Sequence, residues 1–216
     1  WAWGQNDQGQ LGQNENANNT SYYSSPVQIP GTTWSTTEGE LAGGAGSWCK
    51  KTDGTMWVWG FNNYGQLGVN NRTQYSSPIQ IPGTTWDQVG AIRDSCFARK
   101  TDGTLWTWGV NGGGQLGHNN RTSISSPKQV PGTTWASLPI GTETGSSGPM
   151  IATKTDGTLW VCGEPGDFGV LGLNAVNNPA SRSSPTQVGT DTNWSTTLRP
   201  TSSGRGASAM RSDGTA

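Results

Sequence analysis

The sequence predicts an all-β fold of propeller type with four repeat units, and three observations predict it. First, a unit recurs: Lys100-Thr101-Asp102-Gly103-Thr104-Leu105-Trp106-Thr107-Trp108-Gly109, then Gly114-Gln115-Leu116-Gly117. Lys51 to Gly60 with Gly65-Gln66-Leu67-Gly68 repeats it, as do Lys154 to Gly163 with a degraded Gly169-Val170-Leu171-Gly172. Second, the period is about 50 residues, and each period holds several short strand-like runs punctuated by Gly, Pro and Asn, the pattern of a propeller blade. Third, no stretch has helical apolar periodicity.

Each element follows from local chemistry. Asp-Gly flanked by alternating apolar residues marks a tight hairpin, because Gly adopts the positive φ of a primed turn without strain. The unit therefore reads strand, Asp-Gly turn, strand. On the second strand Trp106 and Trp108 stand two residues apart and share a face, while Thr107 points the other way. Trp57 with Trp59, and Trp1 with Trp3, repeat this pairing, and Trp160 has Cys162 as its companion. Trp1, Trp3, Trp57, Trp59, Trp106, Trp108 and Trp160 are thus the expected structural core. One blade cannot bury such a face alone, so neighbouring blades must cover it, each aromatic contributing about 1.5–3 kcal/mol on burial. The position four before the Asp is always small, Cys49, Ala98, Ala152 and Ala209, which marks a slot where another layer comes close.

After each Gly-Gln-Leu-Gly comes a polar loop and then a Ser-Ser-Pro segment, such as Ser76-Ser77-Pro78-Ile79-Gln80-Ile81-Pro82. Prolines bracketing an alternating stretch suit a short edge strand, since Pro cannot donate to a ladder. A Gly-Thr-Thr-Trp turn follows, ending at Trp34, Trp86 and Trp135 and echoed by Trp194. The remaining copy is split: Arg211-Ser212-Asp213-Gly214-Thr215-Ala216 is the first half of a unit that Trp1-Ala2-Trp3-Gly4 would continue. One repeat domain over 1–216 is expected, with approximate units 5–60, 61–109, 110–163 and 164–216 plus 1–4. Beginning in mid-unit without a Met, the chain reads as a segment or a processed product.

Composition narrows the function. Charged residues are 12% and the net charge is −1, which leaves no clustered Lys and Arg to neutralise phosphates, so nucleic-acid binding is not expected. No apolar run suits a membrane span, and none reads as a signal peptide. Cys49, Cys96 and Cys162 show no metal-type spacing and read as buried thiols.

The Asp-Gly, Leu-Trp-x-Trp-Gly-x-Asn-x-x-Gly-Gln-Leu-Gly and Pro-x-Gln-Ile/Val-Pro blocks resemble the regulator of chromosome condensation repeat family over essentially the whole chain. The resemblance implies β-propellers of four-stranded blades, most familiarly seven, often closed by a blade shared between the termini. Seven blades at this period need roughly 380 residues, so the four units form either a small closed ring or, the favoured reading, an arc of a larger propeller. Where many members carry a His seven residues before the Asp, this chain has Gly46, Ser95, Pro149 and Gly206, and it has no basic tail or inserted wedge. Chromatin binding and nucleotide exchange are therefore not carried over. The near-identical Gly- and Thr-rich units are similar to the prokaryotic and bacteriophage branch, whose propellers serve as binding or virion-associated modules.

No cofactor is expected, and no catalytic residue. His118 lies in an Asn-rich loop and reads as a solvated turn residue. Asn6-Asp7 with Glu15 lacks the spacing of a calcium loop, and the repeated sequons at Asn71 and Asn120 read as turn geometry. Candidate ligand-binding residues are Tyr22, Tyr23 and Tyr75 in the variable loops, Trp48 outside the repeat register, His118, and Phe168 in the irregular fourth unit. Trp48 reads better as core than as a sugar-stacking face, because Phe97 and Ile151 are its positional equivalents. The expected function is a non-catalytic attachment or assembly module, extracellular or on a virion surface, contacting protein or glycan through rim loops. The alternatives are a structural repeat packing against other copies or a fibre, and a soluble inhibitor or scaffold propeller.

Overall fold

The computed structural model describes residues 1–15, 22–36, 41–42, 46–141, 148–166, 169–174, 181–203 and 206–215. Every regular element among the described residues is a strand. Strands β1 (Ala2–Gln5) and β2 (Tyr22–Val27) form a two-stranded sheet. Strands β3 (Leu41–Ala42), β4 (Gly46–Lys50), β5 (Met56–Gly60) and β6 (Tyr75–Gln80) form the first complete blade, in that order. The second runs β7 (Trp86–Ile92), β8 (Ser95–Lys100), β9 (Leu105–Gly109) and β10 (Ile124–Gln129).

The third blade takes β11 (Trp135–Ser137), skips β12 (Ile140–Gly141), and continues with β13 (Met150–Lys154), β14 (Leu159–Gly163) and β15 (Arg182–Gln187). Strand β12 instead pairs in parallel with β16 (Thr201–Ser202), which pairs antiparallel with β17 (Ala207–Ser208). The Ser-Ser-Pro segments are the edge strands β6, β10 and β15, as their prolines require.

The Asp-Gly hairpins form as the pattern dictates. In each, the Asp carboxylate accepts from the backbone N–H and hydroxyl of the Thr two residues on, as Asp102 Oδ1 does from Thr104 N at 3.0 Å and Oγ1 at 2.7 Å. Those bonds, hydroxyl first, hold the Asp102 carboxyl below its usual pKa. The same Thr104 Oγ1 accepts from Trp106 Nε1 at 2.9 Å, tying the turn to the first indole of the pair. Ala98 lies opposite Trp106, Cys49 opposite Trp57 and Ala152 opposite Trp160. The small slot thus admits the indole of the Gly-Thr-Thr-Trp turn: Trp86 stacks edge-on against Trp106 at 6.1 Å and Trp108 at 6.3 Å. Lys100 Nζ covers both Trp86 and Trp106, at 4.8 Å and 4.4 Å.

Blades are joined by the Gly-Gln-Leu-Gly loops. Trp59 Nε1 donates to Gln10 O at 2.9 Å, and Trp108 Nε1 donates to Gln66 O at 2.8 Å, each crossing from one unit to the loop of the unit before. Gly68, at φ 71°, lies flat on the Trp108 ring, and a Cβ there would come within 2.8 Å of Nε1. The third junction replaces indole by thiol, with Cys162 Sγ donating to Gln115 O at 3.3 Å. Its cross-strand partner grows in compensation: Ser47 faces Trp59, Cys96 faces Trp108, and Met150 faces Cys162. The core is accordingly a series of inter-blade clusters, one joining Met56, Val58, Leu67 and Ile81 to Trp86, Val89 and Trp108.

Near the axis, β7 lies beside β3 and β12. Arg199 donates from Nη2 to Val89 O at 2.6 Å, and from Nε to Leu138 O at 3.0 Å, linking the innermost strands of successive blades. Gly90 leaves room for this approach, since a Cβ there would stand 2.3 Å from Pro139 O.

At its first end the series departs from the expectation that Trp1 and Trp3 are core. They are 72% and 61% exposed, because β1 pairs only with β2 among the described residues and no loop covers that face. Trp59 and Trp108 are buried, while Trp57, Trp106 and Trp160 are half-buried under their lysines. The ends do not pair with each other among the described residues, so the units form an arc.

Trp108→Ala is expected to cost about 3–5 kcal/mol in urea unfolding. Trp108→Phe keeps most of the packing but removes the indole donor, leaving Gln66 O only the weak Cys96 thiol donor at 3.0 Å, and is expected to cost about 0.5–1.5 kcal/mol. A loss below about 1 kcal/mol for the alanine variant would contradict the assignment of this indole as the inter-blade contact.

Candidate binding surface

Antiparallel order sends the connections to two rims. One rim carries the Asp-Gly-Thr hairpins and the Gly-Thr-Thr-Trp turns, which are nearly the same in every unit. There the indole faces are already occupied, Lys51 Nζ lying 4.2 Å from the Trp57 ring and Lys154 Nζ 3.9 Å from the Trp160 ring. The opposite rim carries the β7–β8 turn at Arg93-Asp94, the Gly-Gln-Leu-Gly loops and the polar loops that lead into Ser-Ser-Pro. Its framework is constant. Asn62 is fully buried, accepts from Leu67 N at 3.0 Å and donates to Thr73 O at 2.8 Å; Asn111 repeats this with Leu116 and Thr122. The positions between the framework residues vary, and those side chains face outward.

Tyr22, Tyr23, Tyr75 and His118 all sit in the loops of this second rim or at the strand starts beside them. Tyr22 is 70% exposed. Tyr23 is half-buried and donates to Glu15 Oε1 at 2.6 Å, and Tyr75 accepts from Asn71 Nδ2 at 3.0 Å, so both hydroxyls serve the loops themselves. Glu15 also accepts from Asn6 Nδ2 at 2.9 Å, and Asp7 accepts from Gln5 and Gln10, so amides already occupy the carboxylates of the calcium-like grouping. The sequon residues Asn71 and Asn120 accept from Thr73 N and Thr122 N, each at 2.9 Å, as turn residues do.

Of the ligand-binding candidates, Trp48 is core, as its positional equivalents Phe97 and Ile151 imply, and the reading of His118 is corrected. Trp48 is 2% exposed and packed with Met56, Leu67 and Trp86, so its face cannot meet a ligand. His118 is not a solvated turn residue: it is half-buried, with Nε2 2.9 Å from Thr107 Oγ1. Thr107 spends its proton on Leu116 O at 2.7 Å, so the imidazole Nε2–H donates and the ring is the neutral Nε2–H tautomer. Phe168 lies outside the described residues.

Sequence reasoning missed Phe61 and Tyr64. Their rings meet edge to face at 5.9 Å, and Tyr64 is 47% exposed. The signal was present: both occupy variable positions inside the fixed Gly-x-Asn-x-x-Gly frame, where other copies carry Gln5, Gln8, Val110 or Gly113. Gln74 spans two units beside them, donating to Gln8 Oε1 at 3.0 Å and Asn63 Oδ1 at 3.3 Å. Asp94 accepts from Gln66 Nε2 at 2.9 Å on the same rim, and burial pushes its carboxyl above the usual range despite Arg93 at 3.3 Å. Exposed aromatic faces beside amide and carboxylate groups are equipped to hold a polar surface by stacking and hydrogen bonding.

Burial, and then the charge of Lys128, lower the His118 pKa from 6.5 to about 4. Between those values the unfolded chain binds the extra proton, so stability falls with falling pH across this window, with no contribution above it and the full loss below it. The melting temperature of the native chain is expected to drop further from pH 7 to pH 4.5 than that of His118→Gln, two values chosen to span most of the titration (about 6.5 to about 4). Parallel curves would contradict the burial of a neutral ring.

The model of the regulator of chromosome condensation (RCC1) repeat matches residues 1–35, 53–91 and 102–136, together just over half of the chain. The crystal structure of human WBSCR16 is similar, with a TM-score of 0.65 and 22% identity, over 84% of this chain and 45% of that one. Prp20p from Saccharomyces cerevisiae, studied for its binding to Gsp1p and histones, has a TM-score of 0.70 at 17% identity, covering 88% and 46%. Yeast RCC1 (Prp20) bound by Kap60 gives 0.67 at 18%, covering 89% and 45%. The chain spans about half the length of these structures, and identities this low carry the fold alone. A repeat model matched in three successive segments, on strands arranged as blades, carries the family as well: the chain belongs to the regulator of chromosome condensation (RCC1) repeat family.

Proposed function

We propose that this propeller is a non-catalytic attachment module of a virion or cell surface, which contacts protein or glycan through the rim of Gly-Gln-Leu-Gly loops. Propellers of this repeat commonly mediate protein binding, and a rigid scaffold with variable loops is the arrangement on which recognition sites are built. The observation that carries the reading is the contrast between the rims. On one, repeated turns lay lysines over their indoles; on the other, Tyr22 and the Phe61–Tyr64 pair stand free of such cover. Aromatic rings with one open face and a nearby amide suit a sugar ring or a protein loop alike.

Arrays of glycans and purified surface proteins, probed with the labelled chain, test this. The double variant Tyr22→Ala, Tyr64→Ala is expected to lose about tenfold or more of the signal, and Thr84→Lys on the opposite rim to keep it. Binding that survives the double variant and falls with Thr84→Lys contradicts the assignment of the rim.

A further inference from the structure

Two departures from the repeat fall on the same junction, the one between the second and third complete blades. The first is the thiol: Cys162 Sγ reaches Gln115 O at 3.3 Å, where indoles reach Gln10 O and Gln66 O at 2.9 Å and 2.8 Å. The second is His118, which directly follows the Gly-Gln-Leu-Gly loop. In the first complete blade this place and the two strand positions beside it hold Val69, Val58 and Ile79, all packed in one apolar cluster. In the second blade the same places hold His118, Thr107 and Lys128.

The loop from Gly114 to Asn119 is what clasps the third blade. Leu116 is fully buried, and a Cβ on Gly117 would already touch Cys162 and Pro185 at 3.4 Å. The N–H of Asn119, at φ 56°, donates to Ser183 O at 2.6 Å, and Ser184 Oγ donates back to Asn119 Oδ1 at 3.3 Å. His118 therefore sits inside the clasp, its ring anchored to the second blade through Thr107 and its chain neighbours held by the third. A neutral ring suits this place. A charged one does not, because no carboxylate lies on β9, β10, β14, β15 or the loop from Gly114 to Thr122. The charged side chains there are Lys128, Arg121 and Arg182, all basic, and the Cys162 thiol is the other titratable group. A half-buried imidazolium facing only cations loses hydration and gains repulsion.

We propose that acid opens this one junction ahead of the others, with His118 as the trigger and the second and third blades as the parts that separate. Lifting the Gly114–Asn119 loop from Cys162 and Ser183 gives the protonated ring back to water, and the thiol bond it must break is the longest of the three loop contacts. Opening returns His118 from a pKa of about 4 to its ordinary 6.5, so the closed state is favoured above that range and loses ground as the pH falls through it. Between pH 7 and pH 5 the open population is expected to rise about twentyfold. The other two junctions carry Gln13 and Val69 in the place of His118 and lack the trigger. The loop that lifts belongs to the Gly-Gln-Leu-Gly rim, but its opening does not depend on what that rim binds.

Each junction holds its own buried reporter thiol: Cys49 packs with Trp59 at the first, Cys96 bonds Gln66 O at the second, and Cys162 bonds Gln115 O at the third. Labelling by a dipyridyl disulfide, which reacts with thiols in acid, is read cysteine by cysteine from peptide masses and divided by the rate of the urea-unfolded chain at the same pH. The relative rate at Cys162 is expected to rise about twentyfold from pH 7 to pH 5, while Cys49 and Cys96 stay level. His118→Gln, which keeps a donor for Thr107, is expected to abolish the rise, as is Thr107→Val combined with His118→Val, which restores the apolar pair of the first blade. Lys128→Glu, which sets a carboxylate beside the ring, is expected to reduce it. Equal rises at all three cysteines, no rise at Cys162, a rise that survives either His118 variant, or one that Lys128→Glu leaves undiminished overturns the proposal.

Discussion

The hydrogen bond from a buried indole N–H to the backbone carbonyl of the preceding loop is the contact on which the rest of this structure depends. It sets how one blade meets the next, and most of the other repeated features serve it. Gly68 must lack a side chain for the loop to lie on the Trp108 ring. Asn62 must be buried to hold that loop in shape. Leu67 and Ile81 are fully buried because the same approach presses them against Trp86 and Trp108. Where the indole is lost, at Cys162, the thiol still bonds the loop carbonyl and Met150 supplies bulk from across the strand. Burial raises the thiol pKa, so Cys162 stays protonated and able to donate.

A scaffold held in this way divides its surface. The hairpin rim is occupied by its own chemistry, because Asp, Thr, Lys and two Trp residues satisfy one another within each unit. Among the described residues, the Trp of the Gly-Thr-Thr-Trp turn leaves its own N–H unpartnered at Trp34, Trp86, Trp135 and Trp194, a cost offset by edge-on stacking and by the cation over the ring. On the loop rim a buried Asn fixes the backbone, so the residues between framework positions are free to differ. Variation confined to one rim is what recognition by loops requires, and the proposed attachment role draws its support from that division.

Much of the fold could be read from the chain. The Asp-Gly hairpins, the shared face of Trp106 and Trp108, the small slot at Ala98 and the proline-bracketed edge strands all follow from local periodicity and turn chemistry, and all recur. What could not be read were effects of position within the array. Trp3 and Trp59 hold the same repeat position, yet among the described residues only the latter has a loop over it, and the difference lies in which neighbour is present. Arg199 gave no signal because it belongs to no repeat, and only the convergence of the inner strands shows that it bonds Val89 O and Leu138 O. His118 misled because an Asn-rich loop suggests solvent, whereas Thr107 on β9 draws the ring inward. Of the binding candidates, Tyr22 stays exposed, while Tyr23 and Tyr75 are partly committed to their own loops.

Hydrogen exchange of the indole N–H groups, followed by nuclear magnetic resonance, tests the central contact most directly. The Nε1–H signals of Trp59 and Trp108, bonded to Gln10 O and Gln66 O, are expected to exchange only with global unfolding of the arc. Exchange of these two protons at the rate of a free indole, in a chain whose backbone amides remain protected, would contradict it.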